Sequence, residues 1–279
     1  MNPIIFKQKL EVVQLVVLHR LFSTPASKEA IFQGGTALRW GYGGTRLSED
    51  IDLYTSLDRK KQQDLLRQIA SHVLRDLAVC IHPEIRLSIK TKAVGKNLSV
   101  HWLIFSTPET RKKLRLKLEF YHTPFAKEIE TEPKILGMSP EANFFIASQK
   151  IFPVSANIMI PFETASGILA DKIVAVTNRP YIKGRDFWDI WFIGNALKLK
   201  ASEETVRHRM KIYGLNKNLR SYNLRFAQEG WPPEKELLAA LNADLKRFLS
   251  ADQLAWLEHT RYQALIKAVH DTLITLKKP

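Results

Sequence analysis

Ala30-Ile31-Phe32 runs into Gly34-Gly35-Thr36 and then Ala37-Leu38-Arg39-Trp40, the order of a short apolar strand, a glycine turn and an opening helix. A loop with Gly41, Gly43 and Gly44 leads to Ser48-Glu49-Asp50-Ile51-Asp52-Leu53-Tyr54. Alternation there puts Ile51 and Leu53 on one face of a second strand and Asp50 and Asp52 on the other. Two carboxylates at i and i+2 repel each other unless a divalent cation lies between them. A glycine turn that presents backbone N–H groups at a helix start suits phosphate. The stretch therefore offers metal and phosphate chemistry side by side.

Upstream, Leu10, Val13, Val17 and Leu21 recur at helical spacing, which predicts an amphipathic helix over residues 7–22. Downstream, residues 58–78 carry a second helical stripe through Leu66, Ile69, Val73 and Leu77. The period then changes to two. Ile85–Ile89, Leu98–Phe105 and Leu114–Tyr121 read as half-buried strands of a mixed or antiparallel sheet, with Glu119 on a basic face beside Arg115 and Lys117. Prolines 124, 133, 140, 153 and 161 make 122–162 read as irregular, and the domain boundary is expected there. Helical patterns follow over 164–177, 186–198, 202–213, 234–249 and 252–276, with breaks at Gly214, Gly230 and Pro232-Pro233. The expected fold is α+β: residues 1–160 form a sheet flanked by helices, and 161–279 form a helical C-terminal domain.

With 279 residues, 45% hydrophobic and 25% charged, the chain has apolar mass for a real core, which excludes disorder and mini-protein scaffolds. The single cysteine, Cys80, forms no internal disulfide, and cytoplasmic location is expected. Lys7, Lys9, Glu11, His19 and Arg20 interrupt the N-terminal apolar patches, so neither a signal peptide nor a spanning helix is expected there, and no membrane partner. The net charge of +14 points to a polyanionic partner, and residues 56–120 concentrate it, with 14 Lys and Arg against 6 Asp and Glu. No P-loop and no Gly-x-Gly-x-x-Gly after a strand is present. The eight histidines show no zinc-ligand spacing, and there is no Gly-x-Ser-x-Gly elbow.

Gly34-Gly35-Thr36-Ala37-Leu38, a glycine-containing spacer and Arg46-Leu47-Ser48-Glu49-Asp50-Ile51-Asp52-Leu53 resemble the first motif of the AbiEii/AbiGii-type nucleotidyltransferases, within the DNA polymerase β-like superfamily. The second family signature resembles Ala170-Asp171-Lys172-Ile173-Val174-Ala175 followed by Gly184-Arg185-Asp186-Phe187-Trp188-Asp189. The family's turn is usually Gly-Ser with a shorter spacer, whereas Thr36 keeps only the hydroxyl. The resemblance implies that Asp50, Asp52 and Glu119 hold Mg2+, with Mn2+ the other candidate. It implies that Gly34, Gly35, Thr36, Arg46, Ser48, Lys172 and Arg185 bind the nucleoside triphosphate, and that Asp186 or Asp189 is the last essential acid. Lys172 and the Arg185–Asp189 stretch would be the second domain's contribution to the cleft. It further implies a type IV toxin-antitoxin or abortive-infection toxin, a transfer RNA 3′ end as acceptor, and an antitoxin encoded by an adjacent gene.

The residues alone leave plainer readings open. Lys172 falls within an apolar stripe and must find an anion or snorkel outward. Arg185 and Asp189 stand at i and i+4, a simple helix pair, and Asp186 sits where a carboxylate offsets the macrodipole. Glu119 is equally placed to balance strand-face charge, and Arg46 to pair with Glu49 or Asp50. Two rival functions are transfer to a small molecule or protein side chain, and a non-catalytic nucleic-acid-binding module. A small-molecule acceptor predicts a shallow salt dependence, and a polyanionic one a steep dependence.

Overall fold

The computed structural model describes residues 3–151, 158–215 and 234–276. The breaks expected at Pro153, Gly230 and Pro232-Pro233 lie outside these residues. The chain divides into two compact units, one of Met1–Gly44 with Ser48–Glu163, the other of Thr45–Leu47 with Thr164–Pro279.

The first unit is built on a seven-stranded sheet in the order β3-β4-β5-β2-β1-β7-β6. Its strands are β1 (Ala30–Gln33), β2 (Asp50–Thr55), β3 (Arg86–Val94), β4 (Leu98–Thr107), β5 (Thr110–His122), β6 (Thr131–Ile135) and β7 (Met159–Glu163). The sheet is mixed: β2 runs parallel to β5 and β1 to β7, and the remaining neighbours are antiparallel. Ile51 and Leu53 on β2 and Leu116, Leu118 and Phe120 on β5 are fully buried, as their alternation predicts. Helix α3 (Arg59–Cys80) starts where Asp58 accepts a hydrogen bond from the Lys61 backbone N–H at 2.8 Å, and it buries Leu65, Leu66, Ile69, Val73 and Leu77.

Two expectations need correction. Helix α1 (Pro3–Phe22) is not a one-sided amphipathic helix: Val12, Val13, Leu15, Val16, Val17, Leu18 and Leu21 are all buried, so it is enclosed around most of its girth as it packs on α3 and β5. The described residues of 122–162 are not irregular throughout either. Pro140 occupies the first turn of α4 (Pro140–Ser148), where no backbone donor is needed and Ser139 caps the helix. Pro133 lies on the edge strand β6, directly opposite Pro161 of β7.

The first unit also keeps two neutral histidines in its core. His101 on β4 is buried, with Nδ1 2.9 Å from the Thr91 hydroxyl, and burial pulls its pKa down to about 4. His19 on α1 is also pulled down to about 4, by burial and then by Arg20. In the unfolded chain both protonate near the ordinary value of about 6.5. Between those pH values the unfolded state binds more protons, so stability falls as pH drops through that window. The loss is up to about 3 kcal/mol for each histidine. The melting temperature should therefore decline steeply between about pH 6.5 and pH 4, and His101→Gln should flatten the decline. An unchanged melting temperature across that range would contradict the assignment.

The second unit is helical: α5 (Ala165–Asn178), α6 (Gly184–Asn195), α7 (Glu203–Ile212), α8 (Glu234–Leu245), α9 (Ala251–His259) and α10 (Gln263–Thr275). The single helix expected over 252–276 is two, because Arg261 and Tyr262 take left-handed backbone between α9 and α10. Gly184 lets α6 approach α8: a Cβ there would stand 2.8 Å from Leu245 Cγ and 2.9 Å from the Leu241 carbonyl oxygen. Among the described residues, no helix is long and apolar enough to cross a membrane.

Candidate active site

In the first unit the carboxylate strand and the glycine turn are locked together. Gln33, the last residue of β1, pairs in register with Asp52, and helix α2 (Gly34–Tyr42) begins at the next residue. Gly34 has φ +78°, and a Cβ built on it would lie 2.6 Å from Asp52 Oδ2, so the Asp52 carboxylate rests against bare backbone. Gly35 and Thr36 are buried, and the Thr36 hydroxyl donates to the Asp50 carbonyl. That hydroxyl is thus committed to positioning β2. Gln33 makes no side-chain cap, which leaves the opening N–H groups of α2 without that partner. Ser48 is buried, and its carbonyl accepts from the Gln14 amide at 2.7 Å.

Parallel pairing of β2 with β5 sets Asp50 opposite Lys117 and Asp52 opposite Glu119. All four side chains leave the same face of the sheet. Lys117 Nζ sits 2.8 Å from Asp50 Oδ2 and 2.9 Å from Glu119 Oε1. Burial disfavours its charge, but the Asp50 and then the Glu119 carboxylates outweigh burial and hold the ammonium above its ordinary pKa. Glu119 therefore does balance a neighbouring lysine, and it does so next to the Asp50–Asp52 face.

Among the described residues, no three acidic, histidine or cysteine side chains converge on one point. Asp50 and Glu119 converge on Lys117, while Asp52 lies beside Gly34. Carboxylate oxygens are hard donors of the kind divalent cations take, so Asp50, Asp52 and Glu119 suit such an ion by their chemistry, with Lys117 standing between Asp50 and Glu119.

In the second unit the other expected residues form a buried ionic cluster. Lys172 on α5 lies 2.9 Å from Asp189 Oδ2 and 3.3 Å from Asp186 Oδ1, so it has found its anions inside the protein. Arg46 grips Asp189 with two hydrogen bonds of 2.5 and 2.6 Å, and Arg179 binds Asp186. Arg46 thus pairs with Asp189 and not with Glu49 or Asp50. The Arg185–Asp189 helix pair does not form: Arg185 stacks 4.2 Å over the Phe248 ring, and its backbone N–H reaches Asp244 Oδ2 at 3.0 Å. Burial alone would raise the Asp189 pKa, yet Arg46 and Lys172 more than reverse this and hold it below the ordinary carboxylate value. For Lys172 the balance runs the same way, with Asp189 and Asp186 overcoming burial to raise its pKa.

Two residues that the sequence reading did not single out stand beside the candidate groups. Lys117 has the right alternation, but only the register of β5 on β2 brings it to Asp50. Lys183, just before α6, has its pKa lowered by burial and then by Arg179 and Arg185. A partly desolvated lysine among arginines is suited to an anion. The run Lys183-Gly184-Arg185 was its signal.

The fold is shared with solved structures. A candidate nucleotidyltransferase from H. pylori matches with a TM-score of 0.55 at 21% identity, over 97% of this chain and 97% of that one. JHP933 from Helicobacter pylori matches with a TM-score of 0.51 at 20% identity, over 96% and 92%. No curated protein sequence matches the chain. The class is nucleotidyltransferase. The chain belongs to the family of AbiEii nucleotidyl transferase toxins of type IV toxin-antitoxin systems, whose model matches residues 16–265.

Proposed function

We propose that the protein transfers a nucleoside monophosphate from a nucleoside triphosphate to a 3′ hydroxyl of RNA, with transfer RNA the candidate acceptor. On this reading it acts in the cytoplasm as the toxin of its pair, as in abortive infection, and is countered by an antitoxin from an adjacent gene. The acceptor oxygen bonds to the α-phosphorus, the bond from the α-phosphorus to the bridging oxygen breaks, pyrophosphate leaves, and the hydroxyl proton passes to solvent. The observation that carries the reading is the Asp52 carboxylate resting on Gly34, which joins a metal-type ligand to the phosphate-type donors at the start of α2.

Asp50 and Asp52, with Glu119 beside them, would hold Mg2+ or Mn2+, and the ion would add positive charge against the triphosphate. Gly34 and Gly35 give close backbone approach, and Thr36 and Ser48 fix the strand that carries the aspartates. Lys172 and Arg185 are assigned to phosphate by the family resemblance alone; within the second unit Asp189 and Asp186 engage the Lys172 ammonium, and Asp189 also holds Arg46. The positive excess over residues 56–120 supports a polyanionic acceptor.

The test is incubation of purified protein with Mg2+ or Mn2+, total RNA and each α-labelled nucleoside triphosphate in turn. Label from one nucleotide should appear at RNA 3′ ends and fall steeply with added salt. Label on the protein or on a small molecule only, with a shallow salt slope, would overturn the acceptor assignment.

A further inference from the structure

A cavity of about 550 Å³ opens beside Asp50 in the first unit. Its walls combine the rings of Trp102 and Phe6 with the cations Arg111, Lys112, Lys113 and Arg115. Trp102 is 37% exposed, unusual for so large an apolar ring in the middle of a sheet strand. Register explains its position. Trp102 on β4 faces Lys117 on β5, which faces Asp50 on β2, so the three stand in one row on one face. Two strand spacings put the Trp102 backbone about 10 Å from that of Asp50, roughly one nucleotide away. Lys117 Nζ lies 6.0 Å from the Trp102 ring centroid, and Lys112 Nζ lies 4.0 Å from that of Phe6.

An exposed indole framed by cations is the chemistry that receives an unpaired base and its phosphates. The cavity volume lies in the range of small-ligand pockets and suits a terminal nucleotide rather than a duplex. Sheet order also separates it from the phosphate donors: the turn at Gly34 flanks β2 from the β1 side, and the cavity flanks β2 from the β5 side. A triphosphate at the turn and an acceptor in the cavity would thus approach the aspartates from opposite sides.

We propose that this cavity is the acceptor subsite. The terminal base of a single-stranded RNA stacks on Trp102, Arg111, Lys113 and Arg115 take its phosphates, and its 3′ hydroxyl is directed towards Asp50. The proposal rests on the RNA-acceptor reading and adds the place and mode of binding.

Fluorescence anisotropy of a short labelled single-stranded RNA with a free 3′ end, on the full-length protein at low salt, tests it. Trp102→Ala should weaken binding by about 5- to 100-fold, and Trp102→Phe should restore most of it. Arg111→Gln with Lys113→Gln should weaken binding and flatten its salt dependence. Nucleoside triphosphate binding, measured by equilibrium dialysis, should stay at the wild-type level in all three, with matching melting temperatures. RNA binding that survives both Trp102→Ala and the double exchange overturns the subsite alone. An equal loss of nucleotide and RNA affinity reassigns the cavity to the triphosphate and also overturns it. Wild-type protein that binds no RNA and labels another acceptor overturns the RNA reading itself.

Discussion

Asp52→Asn is expected to lower labelled nucleotide transfer by about a thousandfold or more while leaving the melting temperature near that of the wild type. Asp52 is only half-buried where Ile51 and Leu53 are fully buried, and it lies against the turn that opens α2. On the proposed reading, losing its charge would remove a cation ligand, an interaction worth several kcal/mol in a transition state, and each ~1.4 kcal/mol is tenfold in rate. Gly34→Ala should reproduce much of this loss without touching a carboxylate. Its Cβ would fall 2.6 Å from Asp52 Oδ2, and its φ of +78° disfavours any side chain. Incorporation assays beside thermal melts separate chemistry from folding. Full activity in Asp52→Asn would remove the proposed metal site.

The second large effect concerns stability. Asp189→Ala strips the shared carboxylate from Arg46 and Lys172, whose side chains are 5% and 15% exposed. Breaking a buried pair by removing one partner costs about 3–5 kcal/mol, because the remaining charge is left uncompensated. Against a typical total of about 5–15 kcal/mol, that loss unfolds much of the population on mild heating. Replacing both members, as Arg46→Met with Asp189→Leu, should recover much of the stability, since Lys172 keeps Asp186 at 3.3 Å. Denaturant titrations of the single and double variants measure this. A single variant within about 1 kcal/mol of wild type would show that the cluster is not what holds these helices.

Asp189 therefore differs in kind from Asp52. Both were candidates on their motifs. Asp52 lies on a half-open sheet face beside backbone donors, whereas Asp189 is sealed beneath two cations. The geometry places Asp189 against Lys172 and Arg46, so any activity measured on its variants will carry a folding component.

The local pieces were legible in the order of residues along the chain. The run from Ala30 to Trp40 specifies strand, glycine turn and helix, because φ > 0 at Gly34 and the change of hydrophobic period are encoded by neighbours in the chain. Alternation over Asp50–Leu53 and Leu114–Phe120 likewise settles which side chains share a face. Which side chains meet across the sheet and between helices follows instead from long-range packing. Whether Glu119 and Lys117 lie beside the aspartates depends on the register of two parallel strands far apart in the chain, and a slip of one residue would turn both away. The union of Arg46 with Asp189 spans 143 positions, and no local pattern specifies it. Prolines 133, 140 and 161 were misleading for the same reason: each is compatible with a strand or helix where no backbone donor is required at its position, and that is set by the neighbouring chain rather than by proline itself.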